Sequence, residues 1–268
     1  MAYFIACDID HTLLSDSGEL LAVNVEALSK ARALGATVVL ATARSFVGAL
    51  PIHRALELDT PLVVSNGTLV CDPDGSVLRA QTIEPGTART LVSLFQETPH
   101  HWSFRTRDLA LLHPQFDVSR PPFNERAHYQ KTDADALADA LGNYDSLVTA
   151  SLFGLPLRSF FYAHDWLSMN LTGDFYPPSH YSSVETMSVM ASGASKGVAV
   201  DWLRTYLGLA EAPTLCLGDS VADASMFPLG IGVAPANAAP EVRAAADWTA
   251  PHCDEGAVAA ALATFVFV

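Results

Sequence analysis

Tyr3-Phe4-Ile5-Ala6-Cys7-Asp8-Ile9-Asp10-His11-Thr12-Leu13-Leu14 is the stretch on which the reading turns. Tyr3 to Cys7 is a short apolar run that ends abruptly in an acid. A run of this length, bounded by polar residues, reads as a strand buried on both faces. Two carboxylates two residues apart at the end of such a strand are costly. Each loses hydration, and the pair repels, unless a cation lies between them. A divalent ion that prefers oxygen ligands, such as Mg²⁺, resolves both problems.

The same pattern recurs further along. Thr37 to Ala41 ends at Thr42-Ala43-Arg44-Ser45, Leu62 to Val64 at Ser65-Asn66-Gly67, and Thr214 to Leu217 at Gly218-Asp219. Helical periodicity fills some of the intervals. It runs from Asn24 to Leu34 with Gly35 as a stop, and from Lys196 to Leu207 with Gly208 after it. Strands alternating with helices predict an α/β core, a parallel sheet with helices on both faces. Ligands of such sheets bind beyond the carboxyl ends of the strands. Asp8, Thr42, Ser65-Asn66 and Asp219 therefore converge on one edge.

Three further features fit that edge. Gly218-Asp219-Ser220-Val221-Ala222-Asp223 supplies a second acidic pair, which reads as the other side of a metal site. Lys196 begins a helix, where a positive charge opposes the dipole; the placement makes sense if the lysine faces bound anions. Thr42 to Ser45 offers a hydroxyl and backbone N–H groups to a phosphate.

From about Thr82 to Met187 the chain is richer in aromatics, His and Pro, and the alternation weakens. Helices are expected over Gly86–Glu97 and Asp133–Leu141, and strands over Leu109–Leu112, Ser159–Ala163 and Trp166–Leu171. This predicts an α+β insertion at 82–187 between core segments 1–81 and 188–268. His100, His101, Trp102, Arg105, Arg107, His113, Arg158, His164 and His180 are the insertion's candidates for reaching a ligand. Its Trp and Tyr residues favour a sugar-like group, through apolar stacking beside polar contacts.

Composition narrows the classes. With 268 residues, 50% of them hydrophobic and 16% charged, the chain has ample material for a core. A net charge of −14 argues against a nucleic-acid partner. The four cysteines show no CxxC or metal-ligand spacing and read as free buried thiols in a reducing compartment. No signal-peptide pattern is present, and no apolar run approaches the ~20 residues that span a bilayer. A soluble cytoplasmic protein, monomer or homodimer, is the expectation.

The ordered set Asp8-x-Asp10-x-Thr12, strand-terminal Thr42, Lys196 and Gly218-Asp219-x-x-x-Asp223 resembles the haloacid dehalogenase superfamily over nearly the whole chain. It is most similar to the Cof-type and sucrose-phosphate-phosphatase-like branch, type IIB with a C2 cap. Ser65-Asn66-Gly67, Ser195-Lys196-Gly197, Gly230-Ile231-Gly232-Val233-Ala234, Asn237-Ala238 and Asp254-Glu255-Gly256-Ala257-Val258 also match that branch. The resemblance implies a Rossmann-like core, an inserted cap that shields the site, and a Mg²⁺-dependent phosphatase of small phosphorylated metabolites. It implies Asp8 as nucleophile, Asp10 as acid and base with its carbonyl on the metal, and Asp219 and Asp223 at the metal. It further implies Thr42, Ala43, Arg44, Asn66 and Lys196 on the phosphate. Three residues depart from the pattern: His11 and Ala43 stand where Gly is usual, and Ala222 where Asn is usual. Competing expectations are a phosphomutase and a weakly catalytic phosphometabolite-binding protein.

Overall fold

The computed structural model describes residues 3–107, 109–117, 129–132, 141, 147–176 and 184–267. In chain order its strands are β1 (Phe4–Cys7), β2 (Thr37–Leu40), β3 (Leu62–Val64), β4 (Leu69–Cys71), β5 (Val77–Ala80), β6 (His101–Arg105), β7 (Ala110–Leu112), β8 (Tyr129–Lys131), β9 (Thr149–Gly154), β10 (Leu171–Tyr176), β11 (Glu185–Ala191), β12 (Thr214–Leu217), β13 (Ile231–Pro235) and β14 (Trp248–Ala250). The chain divides into two compact units: Met1–Ala43 with Ala49–Arg79 and Ser195–Val268, and Arg44–Gly48 with Ala80–Ala194.

The first unit is built on a parallel sheet ordered β14-β13-β12-β1-β2. A parallel bridge from Ala41 to Val63 brings β3 alongside β2. Every residue of β1 and β12 is buried, which is why both read as unbroken apolar runs. Register then places the chemistry. Cys7 pairs with Leu40 on one side and Leu217 on the other, so the next residue of each strand leaves the sheet at the same level. Asp8 donates its N–H to Leu217 O at 2.9 Å, and Ala41 N donates to Cys7 O at 2.9 Å. The helices Ala22–Ala33 and Lys196–Tyr206 match the expected ones within two residues at each end.

The second unit holds a mixed sheet ordered β10-β11-β9-β6-β7-β8, antiparallel except for the β7–β8 pair. The helix Pro85–Gln96 starts on Glu84, whose carboxylate accepts from Thr87 N at 3.0 Å, with Pro85 at the first position. It buries Ala88, Leu91, Val92 and Phe95 among Trp102, Phe104 and Leu152 of the sheet. Each larger side chain contributes roughly 1.5–3 kcal/mol in doing so. β11 keeps pairing with β9 and β10 as far as Ala191, so this sheet runs past residue 187.

Two expected strands here take other forms. Ser159–Ala163 lies in a helix, Arg158–Ala163. Its first N–H groups, on Leu157 and Arg158, are satisfied by the Glu185 carboxylate from β11, a partner that local sequence does not reveal. Trp166–Leu171 is a turn in which Trp166 O accepts from Met169 N and Leu171 N, and the strand only begins at Leu171. Trp166 instead packs against Phe161 and donates Nε1–H to Phe161 O at 2.9 Å. The expected helix over 133–141 and His180 lie outside the described residues.

Candidate active site

Asp8, first residue after β1, is buried with only 4% of its surface exposed. Lys196 donates from Nζ to Asp8 Oδ1 at 2.7 Å and to Asp223 Oδ1 at 2.6 Å, and is itself 2% exposed. The lysine is thus no surface residue. Ser195 caps the helix that Lys196 begins, accepting from Val198 N at 3.1 Å, and so fixes where the lysine emerges.

Asp8, Asp219 and Asp223 each bring a carboxylate oxygen to within 4.8 Å of the other two. One lysine does not balance three acids. Burial is the first cause that pushes Asp8 up to about 7, with Asp223 adding to it and Lys196 opposing. Asp219 is likewise held well above the usual carboxylate range, by burial and then by Asp8 and Asp223. Lys196 is held above its usual range: burial alone would lower it, but Asp223 and Asp8 outweigh that. A hard, oxygen-only donor set that is short of positive charge fits Mg²⁺.

Asp223 has a second task. Its Oδ2 accepts from Ser220 N at 2.9 Å and Ser220 Oγ at 2.6 Å, closing a capping box at the short helix Val221–Ala224. Both of its oxygens are therefore engaged, one by the lysine and one by Ser220. The Ser220-x-x-Asp223 spacing carried that signal and the sequence reading passed over it. Thr12, named in the sequence only as part of the motif and given no task there, donates from Oγ1 to Asp219 Oδ1 at 3.4 Å. Asp10 is half-buried; its charge adds to the upward push on Asp8, but its carboxylate is not in the three-acid group.

His11 adopts φ 57°, a left-handed backbone that favours glycine, which accounts for the usual residue there. Its Nδ1 lies 3.2 Å from Asp16 Oδ1, and its carbonyl accepts from Asn237 Nδ2 at 2.8 Å. These contacts hold a conformation that costs a β-carbon-bearing residue about 1 kcal/mol.

Thr42 is buried; its N–H donates to Val63 O at 2.9 Å and its carbonyl accepts from Asn66 N at 3.0 Å. That pairing draws Ser65-Asn66-Gly67 to the edge in a turn with φ of 50°, 56° and 85°. Ser65 Oγ and Asn66 Oδ1 are buried without a hydrogen-bond partner, as befits groups awaiting a polar ligand. A β-carbon on Gly67 would collide with the Ser195 backbone beside Lys196. Gly67→Ala is therefore expected to destabilise the protein by at least about 2 kcal/mol, read as a lowered melting temperature. Ala43 follows Thr42 in the first unit. Arg44 falls in the second, with Nη1 donating to Gly48 O at 3.2 Å.

A family model described as haloacid dehalogenase-like hydrolase matches residues 5–262. The chain belongs to that family. Solved structures of haloacid dehalogenase-like proteins share its fold. One is a haloacid dehalogenase-like hydrolase from B. subtilis, 23% identical, with a TM-score of 0.79 over 98% of this chain and 99% of the other. Another is a superfamily phosphatase from Bacteroides thetaiotaomicron, 21% identical, with a TM-score of 0.80 over 100% and 96%. A third is described as a subclass IIB sugar phosphatase, 20% identical, with a TM-score of 0.81 over the full length of both chains. No described helix of this hydrolase is long and apolar enough to cross a membrane.

Proposed function

We propose that this hydrolase removes the phosphoryl group from a small phosphorylated metabolite, a sugar phosphate first among them, through an aspartyl-phosphate on Asp8. The observation that carries the reading is the buried Asp8 carboxylate, held by Lys196 and facing Asp219 at the carboxyl edge of a parallel sheet. The sugar-phosphatase neighbour supports the choice of substrate class.

In this reading Asp8 and Asp219, with the Asp10 carbonyl, would hold Mg²⁺ and Asp223 would support the centre, while also holding Lys196. The ion, when bound, neutralises charge on the transferring group. Asp8 attacks phosphorus with the oxygen that Lys196 leaves free. Lys196 offsets charge on nucleophile and phosphate together. Thr42, the N–H groups of Ala43 and Arg44, and Asn66 position the phosphoryl oxygens, and most of the rate comes from such positioning. Asp10 protonates the leaving oxygen, then takes a proton from the water that cleaves the acyl phosphate. The segment 82–187 acts as the cap, and a cytoplasmic monomer or homodimer completes the proposal.

Inorganic phosphate release from a panel of sugar phosphates, sugar acid phosphates and nucleotides, with and without Mg²⁺, tests it. Turnover that needs the ion and favours sugar phosphates is expected. Saturable binding of the same compounds without phosphate release would instead mark a binding protein.

Metal affinity should also depend on pH. Asp8 with a value of about 7 must lose its proton to hold a cation. Mg²⁺ affinity is then expected to rise by about tenfold or more per pH unit until both Asp8 and Asp219, which is also held above the usual range, are ionised. Titration calorimetry across that range reads it; an affinity flat from about pH 5.5 upward contradicts the assignment of Asp8 as a ligand.

A further inference from the structure

A second cluster of metal-binding side chains lies in the same unit, apart from the three-acid group. Asp16, His252, Cys253 and Asp254 each place one ligand atom within 4.8 Å of the others. Asp16 sits on the loop closed by the Leu14–Leu20 bridge and the Ser15 N–Glu19 O bond. The other three are consecutive at the turn before the helix Ala257–Phe265.

The donor groups approach one another in pairs, through different oxygens and ring nitrogens. Cys253 Sγ lies 3.2 Å from Asp16 Oδ1, 3.7 Å from His252 Nδ1 and 3.8 Å from Asp254 Oδ1. His252 Nδ1 is 3.5 Å from Asp254 Oδ2, and His252 Nε2 is 3.8 Å from Asp16 Oδ2. A tetrahedral zinc ion with bonds near 2.0–2.3 Å sets ligand-to-ligand distances of roughly 3.3–3.8 Å, so one donor from each residue, all within 4.8 Å of one another, has to close in on the ion as it binds. The donors also differ in kind from those around Asp8. A thiol and an imidazole beside two carboxylates select a zinc-class ion and disfavour Mg²⁺.

The surroundings hold the donors in place. Asn237 accepts from Cys253 N at 3.0 Å through Oδ1 and donates to His11 O at 2.8 Å through Nδ2. His11 Nδ1 lies 3.2 Å from Asp16 Oδ1, an outer contact of the kind that orients a ligating carboxylate. Asp16 N donates to Asp254 Oδ1 at 2.8 Å, drawing two segments far apart in sequence together. Cys253 is buried, whereas the side chains of Asp16, His252 and Asp254 reach solvent, which leaves an ion a way in.

We propose that Asp16, His252, Cys253 and Asp254 form a second metal site, for a zinc-class divalent ion, distinct from the Asp8–Asp219 centre. With four protein ligands it is a closed, structural site. Binding joins the thiolate, imidazole and two carboxylates to the ion and releases the thiol proton to solvent. It staples the loop that follows Asp10 and Thr12 to the last helix.

Cobalt serves as the probe, because a Co²⁺–thiolate bond gives a charge-transfer band in the near ultraviolet. The full chain, saturated with Mg²⁺, is titrated with Co²⁺ and then with Zn²⁺. A band that saturates at one equivalent and is displaced by Zn²⁺ is expected. Cys253→Ser and His252→Gln should each weaken Zn²⁺ binding by about 100-fold or more, and Cys253→Ser should lose the band. Asp8→Asn should keep it. No band, a band that survives Cys253→Ser, or one that disappears in Asp8→Asn overturns the proposal. Should either variant fail to fold, the parent alone decides: a Zn²⁺-dependent rise in melting temperature at constant Mg²⁺ supports the site, and no rise overturns it.

Discussion

Asp8→Asn is expected to lower phosphate release by about 10⁴-fold or more while leaving the melting temperature, measured without divalent ions at about pH 8, equal to or above that of the parent. The activity loss follows from removing the attacking oxygen. The stability result follows from the charge balance around it. Asp8 titrates near 7 in the fold, against an ordinary carboxylate value when unfolded. A raised carboxylate binds its proton more tightly when folded. Its ionisation therefore costs stability, a cost that grows as pH rises from about 4 to about 7 and is constant above. Asparagine removes that cost and can still accept from Lys196. Addition of Mg²⁺ should then stabilise the parent and have much less effect on the variant. Differential scanning fluorimetry with and without the ion reads both halves of this result.

Lys196→Met should do the reverse, with a large loss of stability. The methylene stem fills the same space, but Asp8 and Asp223 lose their shared partner while remaining buried. Breaking a buried ion pair from one side costs about 3–5 kcal/mol. For a chain of this size that lowers the melting temperature by roughly 6–20 °C at neutral pH. The deficit should be largest at alkaline pH and shrink as pH falls towards about 7, because Asp8 without Lys196 takes up its proton above the parent's value of about 7 and its unpaired charge disappears. Activity should fall by about 10²–10³-fold with Mg²⁺ present, the scale of losing one preorganised charge at a transition state. A melting temperature matching the parent's across the pH range would mean that Lys196 is not the buried partner of Asp8 and Asp223.

The contrast between these variants bears on how much of the site was readable in the sequence. Asp8, Thr42, Asn66 and Asp219 were legible because strands buried on both faces are continuous apolar runs, and the first polar residue after each run marks the sheet edge. Lys196 was legible as a charge in an unfavourable helix position. Less visible was the division of labour within the second acidic pair. Asp223 was grouped with the metal ligands, and its oxygens also engage Lys196 and Ser220. That follows from a pairing between residues 27 positions apart, which no local pattern encodes.

The second unit was read less well for a similar reason. Ser159–Ala163 is helical because Glu185, well downstream, accepts from the helix's opening N–H groups and because Phe161 packs among aromatic neighbours. Tertiary contacts override the β tendency of an aromatic-rich segment. Cys253 was read as a free thiol for want of ligand spacing, and all four cysteines are indeed free and buried. Its potential partners come from adjacent residues and from Asp16, on a loop near the other end of the chain, so spacing alone could not group them.

Chemical trapping of the intermediate tests the central claim most directly. Borohydride added during steady-state turnover of a sugar phosphate reduces an acyl phosphate to the alcohol and converts the aspartate that carried it to homoserine. Peptide mass spectrometry should find homoserine at position 8, dependent on substrate and Mg²⁺. An unmodified Asp8 with substrate turning over, or homoserine at another aspartate, would contradict the assignment of Asp8 as the nucleophile.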